Sequence, residues 1–275
     1  MEGRLASWRQ AGTRLFKTQL PRLAATAVAQ ACRNDLPKLA TIFGCDKWNR
    51  HWYAQHYDRH FRRLRLQPLK ILEVGIGGYV DPNDGGRSLR MWKAYFPHSR
   101  IYGVDIYDKR GHEEPRIKTF QGRQEDEAFM KRVVEEMGGV DIAIDDGSHV
   151  NAHAIAAFQI LFPLLSDRGI YVVEDTQTSY WPGFGGRSDD LNDPATIMGY
   201  FKGLLDRLNH AELLRPGYEP SYFDRHIVAM HFYHNLIFIE KGDNTEGSDT
   251  LTNNATSSDW VLVKNFKVRA PDRPA

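Results

Sequence analysis

Six carboxylates and one imidazole sit where short apolar runs end: Glu73, Asp105, Asp145, Asp146, Glu174, Asp175 and His149. Packing alone does not explain such a set, because a buried carboxylate needs a partner. Asp145 and Asp146 are neighbours at one run end, so their side chains tend to opposite faces. One can face a nucleotide and the other a substrate. Asp146, Glu174 and Asp175 can converge on one point. Three carboxylate oxygens with open positions suit a hard octahedral cation such as Mg²⁺. His149 follows Asp146 by three residues, within reach of anything held there, and reads as a general base. His153, one helical turn on, is a weaker candidate for the same role.

The run 69–74 ends in Gly75-Ile76-Gly77-Gly78, a loop whose backbone can approach a ligand closely. A dinucleotide fingerprint wants a third glycine at position 80, which is Val80. Asp105 ends the next apolar run, where an acid can take both hydroxyls of a ribose. NAD sites and S-adenosylmethionine sites both use such an acid, so at this point both stay open. Beyond Asp175, residues 176–186 are aromatic and Gly-rich, with hydroxyls among them. Thr178, Tyr180 and Trp181 suit a sugar or another polyol. A packed aromatic turn is the alternative.

These residues need a frame, and the pattern supplies one. Apolar runs at 69–74, 101–106, 117–120, 140–144 and 169–173 alternate with helical spacing at 88–96, 126–137 and 151–165, which predicts a parallel sheet covered on both faces. Such a sheet binds ligands at the carboxyl ends of its strands. Residues 227–232 and 236–239, joined by a short link, suit an antiparallel hairpin, and the polar stretch 243–258 reads as a loop. The first 40 residues read as a basic helical segment, with Arg4, Arg9, Arg14, Lys17, Arg22 and Arg33 on it. Residues 44–61 read as one helix with an aromatic face. Its His56 and His60 have chelating i,i+4 spacing, but no acid or Cys completes a recognised metal pattern there. Residues 1–66 are therefore expected to be a helical extension packed on a core domain of 67–275.

The chain has 275 residues, 41% hydrophobic, with 36 Lys+Arg against 35 Asp+Glu and a net charge of +1. That balance argues against a large charge-driven nucleic-acid surface. Cys32 and Cys45 make no disulfide framework and no CxxC. The longest nearly apolar stretch, 154–165, is too short to span a bilayer, and no signal peptide opens the chain. A cytoplasmic protein is expected.

The motifs GCDK, ILEVGIGGY, SLRMWKAYF, YGVDI, IDDGSHVNAH, VEDTQTSYWPGFGG and HFYHNLIFIEKGDN resemble the class I S-adenosylmethionine-dependent, Mg²⁺-dependent sugar and macrolide O-methyltransferases, the group around mycinamicin and tylosin sugar methylation. The resemblance covers roughly residues 41–243. It implies a Rossmann-like α/β fold with a mostly parallel seven-stranded sheet. It implies Mg²⁺ on Asp146, Glu174 and Asp175, with His149 as base. It also implies S-adenosylmethionine against Glu73, Gly75, Gly77, Asp105, the turn of Gln121, Gly122 and Gln124, and Asp145. The macrolide enzymes carry an additional N-terminal domain for which the first 40 residues leave no room. Smaller relatives methylate rhamnose or mannose units of glycolipids and polysaccharides, including mycobacterial methylmannose polysaccharides, so a rhamnoside or mannoside acceptor is expected. The rival readings are a catechol-type methyltransferase on an aromatic diol, an NAD-dependent oxidoreductase and a non-catalytic binding protein. A small-molecule or oligosaccharide substrate, no nucleic-acid partner and a homo-oligomer are expected.

Overall fold

The computed structural model describes residue 29, residues 31–213 and 215–247, and the backbone of 251–252 and 255–256. The basic stretch before residue 29 lies outside the described residues. The strands are β1 (Lys70–Val74), β2 (Arg100–Asp105), β3 (Ile117–Gln121), β4 (Val140–Asp145), β5 (Leu165–Glu174), β6 (Ile227–Tyr233) and β7 (Leu236–Lys241). They form one seven-stranded sheet in the order β3-β2-β1-β4-β5-β7-β6. Its β1, β2 and β3 pair in parallel, and β7 runs antiparallel to both β5 and β6. This is the α/β sheet with a C-terminal hairpin that the apolar runs predicted. Residues up to Val140 and residues from Asp141 form two compact units.

In the first unit, α1 (Leu36–Phe43) packs on α3 (Arg87–Tyr95). The helix expected across 44–61 is shorter, running only from Ala54 to Phe61 as α2. Turns precede it, and Asn49 holds a left-handed φ of 71° that no helix tolerates. Trp52 is therefore 69% exposed instead of joining the aromatic face. Tyr57 and Phe61 do bury that face, with ring centroids 4.9 and 6.0 Å from Trp92. The helix α4 (Glu127–Met137) starts where the Asp126 side chain accepts the Phe129 N–H and ends at Gly138 with φ 73°, a left-handed stop.

In the second unit, α5 (Asn151–Leu164) lies between β4 and β5 in the chain. Phe158 is its packing centre, 5.2 Å from Tyr171, 4.9 Å from Phe201 and 5.3 Å from Phe223. Pro163 sits inside the last turn of this helix. The carbonyls freed there are taken by the buried Lys241, whose Nζ donates to Pro163 O at 2.9 Å and Leu165 O at 2.6 Å. Strand β5 starts at Leu165, four residues before the apolar pattern does, because residues 166–168 are polar and exposed. Helices α6 (Ile197–Leu205) and α7 (Tyr222–His226) follow. The polar stretch expected as a loop contains a two-residue hairpin, Leu251–Thr252 with Ala255–Thr256. Among the described residues no helix is long and apolar enough to cross a membrane.

Candidate active site

In the first unit the loop after β1 is built on left-handed backbone. Gly75, Gly77 and Gly78 have φ of 89°, 76° and 76°. A Cβ on Gly78 would overlap the carbonyl of Asp84, so the two sides of the loop touch backbone to backbone. The loop is fastened from outside by Lys109, 1% exposed, whose Nζ donates to Asp81 O at 2.6 Å and Asp84 O at 3.0 Å. Arg90 adds a bond to Gly86 O at 3.0 Å and another to His112 Nδ1 at 3.2 Å. At the tip, Tyr79 is 85% exposed on a left-handed φ of 47°.

Asp105 ends β2 and pins this loop. Its Oδ2 accepts the Ile76 N–H at 3.0 Å and its Oδ1 accepts the Tyr107 N–H at 2.9 Å. Each oxygen keeps a second lone pair for a hydroxyl donor. Ile106 and Tyr107, directly beyond it, are exposed apolar side chains. At the end of β3, Gln121 Nε2 donates to Ile106 O at 3.2 Å and the Gly122 N–H to Asp105 O at 2.9 Å. A Cβ on Gly122 would overlap the end of the Phe129 ring, so a larger residue there requires that ring to shift. Gln124 is buried. Glu73 is fully buried one residue inside β1, 3.3 Å from the buried Lys47 and accepting Ser88 Oγ at 2.6 Å. The first unit thus joins Gly75, Gly77, Asp105, Gln121 and Gly122 at one strand-end surface. Glu73 is held inward as the anchor of that surface. Lys47 and Lys109 are the residues that sequence reasoning missed, because each acts on a loop distant in the chain.

In the second unit, β4 ends in Asp145 and β5 in Glu174, both buried. Asp145 Oδ1 accepts the Gly147 N–H at 3.3 Å. Burial, and then the Asp145 carboxylate, push the Tyr171 hydroxyl well above its ordinary range. One oxygen of Asp146, one of Asp175 and a ring nitrogen of His149 all lie within 4.8 Å of one another. Asp146 and Glu174 likewise offer oxygens within 4.8 Å. The His149 Nε2 is 3.9 Å from Asp146 Oδ1 and 3.7 Å from Asp175 Oδ2. All three side chains are part-exposed, so a ligand can reach them. This donor set fits Mg²⁺: clustered hard carboxylate oxygens with an imidazole beside them. Asp146 belongs to both groups, and Glu174 and Asp175 do not fall in one group together. His153, by contrast, is turned to Ser148 Oγ at 3.1 Å.

Residues 176–186 form two short 3₁₀ turns, Thr176–Tyr180 and Pro182–Phe184. Thr178 is buried, its Oγ1 donating to Asp175 O at 3.2 Å. Tyr180 and Trp181 are 37% and 49% exposed. Trp181 stands 6.0 Å from the Phe184 ring. Asn151, which the sequence did not single out, ties this segment down.

No protein-family model matches this chain. It is 47% identical over 240 residues to mycinamicin VI 2''-O-methyltransferase from Micromonospora griseorubida, covering 86% of this chain and 60% of that protein. It is 44% identical over 238 residues to 8-demethyl-8-(2-methoxy-alpha-L-rhamnosyl)-tetracenomycin-C 3'-O-methyltransferase from Streptomyces olivaceus, covering 86% of this chain and 61% of that protein. Among solved structures, the MycE methyltransferase from the mycinamycin biosynthetic pathway in complex with Mg and SAH superposes with a TM-score of 0.75 at 49% identity, over 78% of this chain and 55% of that one. The chain therefore spans about 60% of the length of the curated relatives it matches. Over the portion they share, this chain is similar in sequence to these sugar O-methyltransferases and has the fold of the solved one.

Proposed function

We propose that this protein transfers the methyl group of S-adenosylmethionine to a sugar hydroxyl of a glycosylated small molecule, glycolipid or oligosaccharide, of rhamnoside or mannoside type, with Mg²⁺ bound. The observation that carries this reading is the grouping of Asp146, Asp175 and His149 within 4.8 Å, in a chain akin to named glycoside O-methyltransferases.

In the first unit, Gly75, Gly77, Asp105 and the turn of Gln121, Gly122 and Gln124 would hold the co-substrate, with Glu73 anchoring β1 behind them. The free lone pairs on Asp105 suit ribose hydroxyls, and Ile106 with Tyr107 offers an apolar wall to a purine. Asp145, at the end of β4 in the second unit, is assigned to the co-substrate by the resemblance alone. In the second unit Asp146, Glu174 and Asp175 would hold the cation, and Tyr180 and Trp181 would receive the acceptor. Thr178, buried and bonded to Asp175 O, would contribute by holding the turn that carries Tyr180 and Trp181.

A sugar hydroxyl is a poor nucleophile at neutral pH, and a bound divalent cation supplies Lewis-acid polarisation of its oxygen. The rest falls to the protein. His149 Nε2 takes the hydroxyl proton while the acceptor oxygen bonds to the methyl carbon and the carbon–sulfur bond breaks, releasing a neutral thioether. The Asp146 and Asp175 carboxylates lie 3.9 and 3.7 Å from Nε2, which places the ring beside the proposed cation site. Alignment of acceptor and methyl group supplies much of the remaining rate.

The test is transfer of label from methyl-labelled S-adenosylmethionine into a panel of rhamnosides, mannosides, glycosylated macrolides and catechols, with Mg²⁺ present. Label in a glycoside supports the reading. Label in catechols alone favours the aromatic-diol alternative, and binding of NADH in place of S-adenosylhomocysteine overturns both. The free thiols Cys32 and Cys45 and the lack of a membrane-crossing helix among the described residues suit work in the cytoplasm.

A further inference from the structure

Asn151 is the first residue of α5 and is 1% exposed. The N-cap is Val150, so the Asn151 side chain is not the cap of this helix and reaches outside it. Its Nδ2 donates to Thr178 O at 3.0 Å and to Phe184 O at 2.9 Å. Its Oδ1 accepts the Ile197 N–H at 2.7 Å, at the first residue of α6. One buried amide thus makes three of the four bonds open to it, and every partner is backbone.

The two carbonyls it grips bracket Tyr180 and Trp181. Between them the segment is cross-tied: Trp181 N–H to Thr178 O at 3.1 Å, Phe184 N–H to Trp181 O at 3.0 Å and Arg187 N–H to Ser179 O at 2.9 Å. Ser179 Oγ accepts the Met198 N–H at 3.0 Å. A Cβ on Gly186 would overlap Thr178 O, so the return of the segment is closed as well. A short segment held this firmly has no need to leave a tryptophan 49% exposed for its own stability. Rigid backing under an exposed ring lowers the ordering cost of binding. Asn151 also lies two residues after His149, so the chain that carries the base and the segment that carries the aromatic rings meet at one side chain.

We propose that Asn151 is the positioning residue that fixes the Tyr180–Trp181 platform relative to His149 and thereby sets acceptor recognition. This rests on the methyltransferase reading above. The amide contacts no acceptor itself; it works through the carbonyls of Thr178 and Phe184.

Asn151→Asp tests it in the full chain. The aspartate keeps an oxygen for the Ile197 N–H and turns another oxygen against two carbonyls. Three readouts are taken: acrylamide quenching of Trp181, read as the difference between each protein and its Trp181→Phe counterpart; S-adenosylhomocysteine affinity by calorimetry; and KM and kcat for the best acceptor. The expected result is a changed Trp181 quenching constant, an acceptor KM raised by about tenfold or more, the loss expected when buried carbonyls lose their donors, and S-adenosylhomocysteine affinity within about twofold. An unchanged quenching constant, or an unchanged KM in a folded variant, overturns the proposal. So does a loss of cofactor affinity in step with the rise in KM, which marks a residue that serves the fold only. Where the variant does not fold, hydrogen exchange on the wild type decides. The N–H groups of Trp181, Phe184 and Arg187 exchange slowly if the platform is held, and fast exchange there refutes it. Should no glycoside be methylated, the quenching and exchange results still stand, so failure of the substrate reading is told apart from failure of the clamp.

Discussion

His149 Nε2 lies 3.7 Å from Asp175 Oδ2, and both residues hold left-handed backbone, with φ of 55° and 52°. Non-glycine residues avoid that region, at a cost of about 1–3 kcal/mol each. Two such residues face each other at one spot because the turns after β4 and β5 both bend sharply there. The bend keeps the imidazole beside the carboxylates instead of letting it swing out along α5.

This backbone decides which variant tests the base. Asparagine tolerates left-handed φ better than alanine, so His149→Asn removes the base with less damage to the turn. Its kcat is expected to fall about 10²–10⁴-fold, the range for a lost general base, with S-adenosylhomocysteine affinity unchanged in calorimetry. The residual rate should climb with pH as solvent takes over proton removal. His153→Ala should be mild; near-normal turnover in His149→Asn together with loss in His153→Ala would move the base to His153.

The carboxylates make metal removal the second test. EDTA should abolish turnover and added Mg²⁺ restore it. Asp175→Asn keeps a residue that accepts the left-handed turn but removes the charge. Its Mg²⁺ half-activation should rise by more than about tenfold, since even groups behind the ligands cost that much. Full turnover in chelator would make these acids structural.

Asp105 is expected to control the co-substrate through the loop it pins. Asp105→Asn cannot accept from both Ile76 N–H and Tyr107 N–H with equal strength, and a bond to a charged acceptor is worth about 1.5–3 kcal/mol. S-adenosylhomocysteine affinity should fall about 10–100-fold by calorimetry. An unchanged affinity would place the co-substrate elsewhere.

His112 predicts a pH dependence of stability. Burial, then the Arg90 and Lys109 charges, hold its pKa below the ordinary 6.5. The folded protein binds fewer protons at this ring than the unfolded chain does. Stability therefore rises with pH between the lowered value and 6.5, and the contribution is lost as pH falls below 6.5. Arg90 only donates, so its 3.2 Å contact to Nδ1 requires the neutral ring. Thermal melts from pH 7 down to about pH 5 should show His112→Gln losing less than wild type; parallel curves would refute the assignment.

The strand-end acids were legible in the sequence because the apolar runs that carry them have strand length and the helices between them show their period. The clamps were not. Lys47 reaches Glu73, Lys109 reaches the carbonyls of Asp81 and Asp84, and Asn151 reaches Thr178, Phe184 and Ile197, all across sequence gaps that carry no periodic signal. Thr178 reads as a site hydroxyl by type, yet a bond to Asp175 O turns it inward. Helix α6 carries a local start signal in Thr196, whose side chain accepts the Gly199 N–H, while its Ile197 N–H depends on the distant Asn151. The overlong aromatic helix failed at Asn49, where one backbone angle outweighs a run of well-spaced rings.

Lys241 carries a consequence for how the chain is made. It closes the end of α5 on carbonyls 76 and 78 residues upstream, and its strand β7 lies between β5 and β6. During synthesis α5 and β5 leave the ribosome well before β7, so β5 emerges with one edge unpaired and the proline-bearing helix end unsealed. Until Lys241 arrives, that apolar edge is open to other nascent chains. A chain cut between β6 and β7 should accumulate as aggregate even though every proposed metal, base and acceptor residue has already been made.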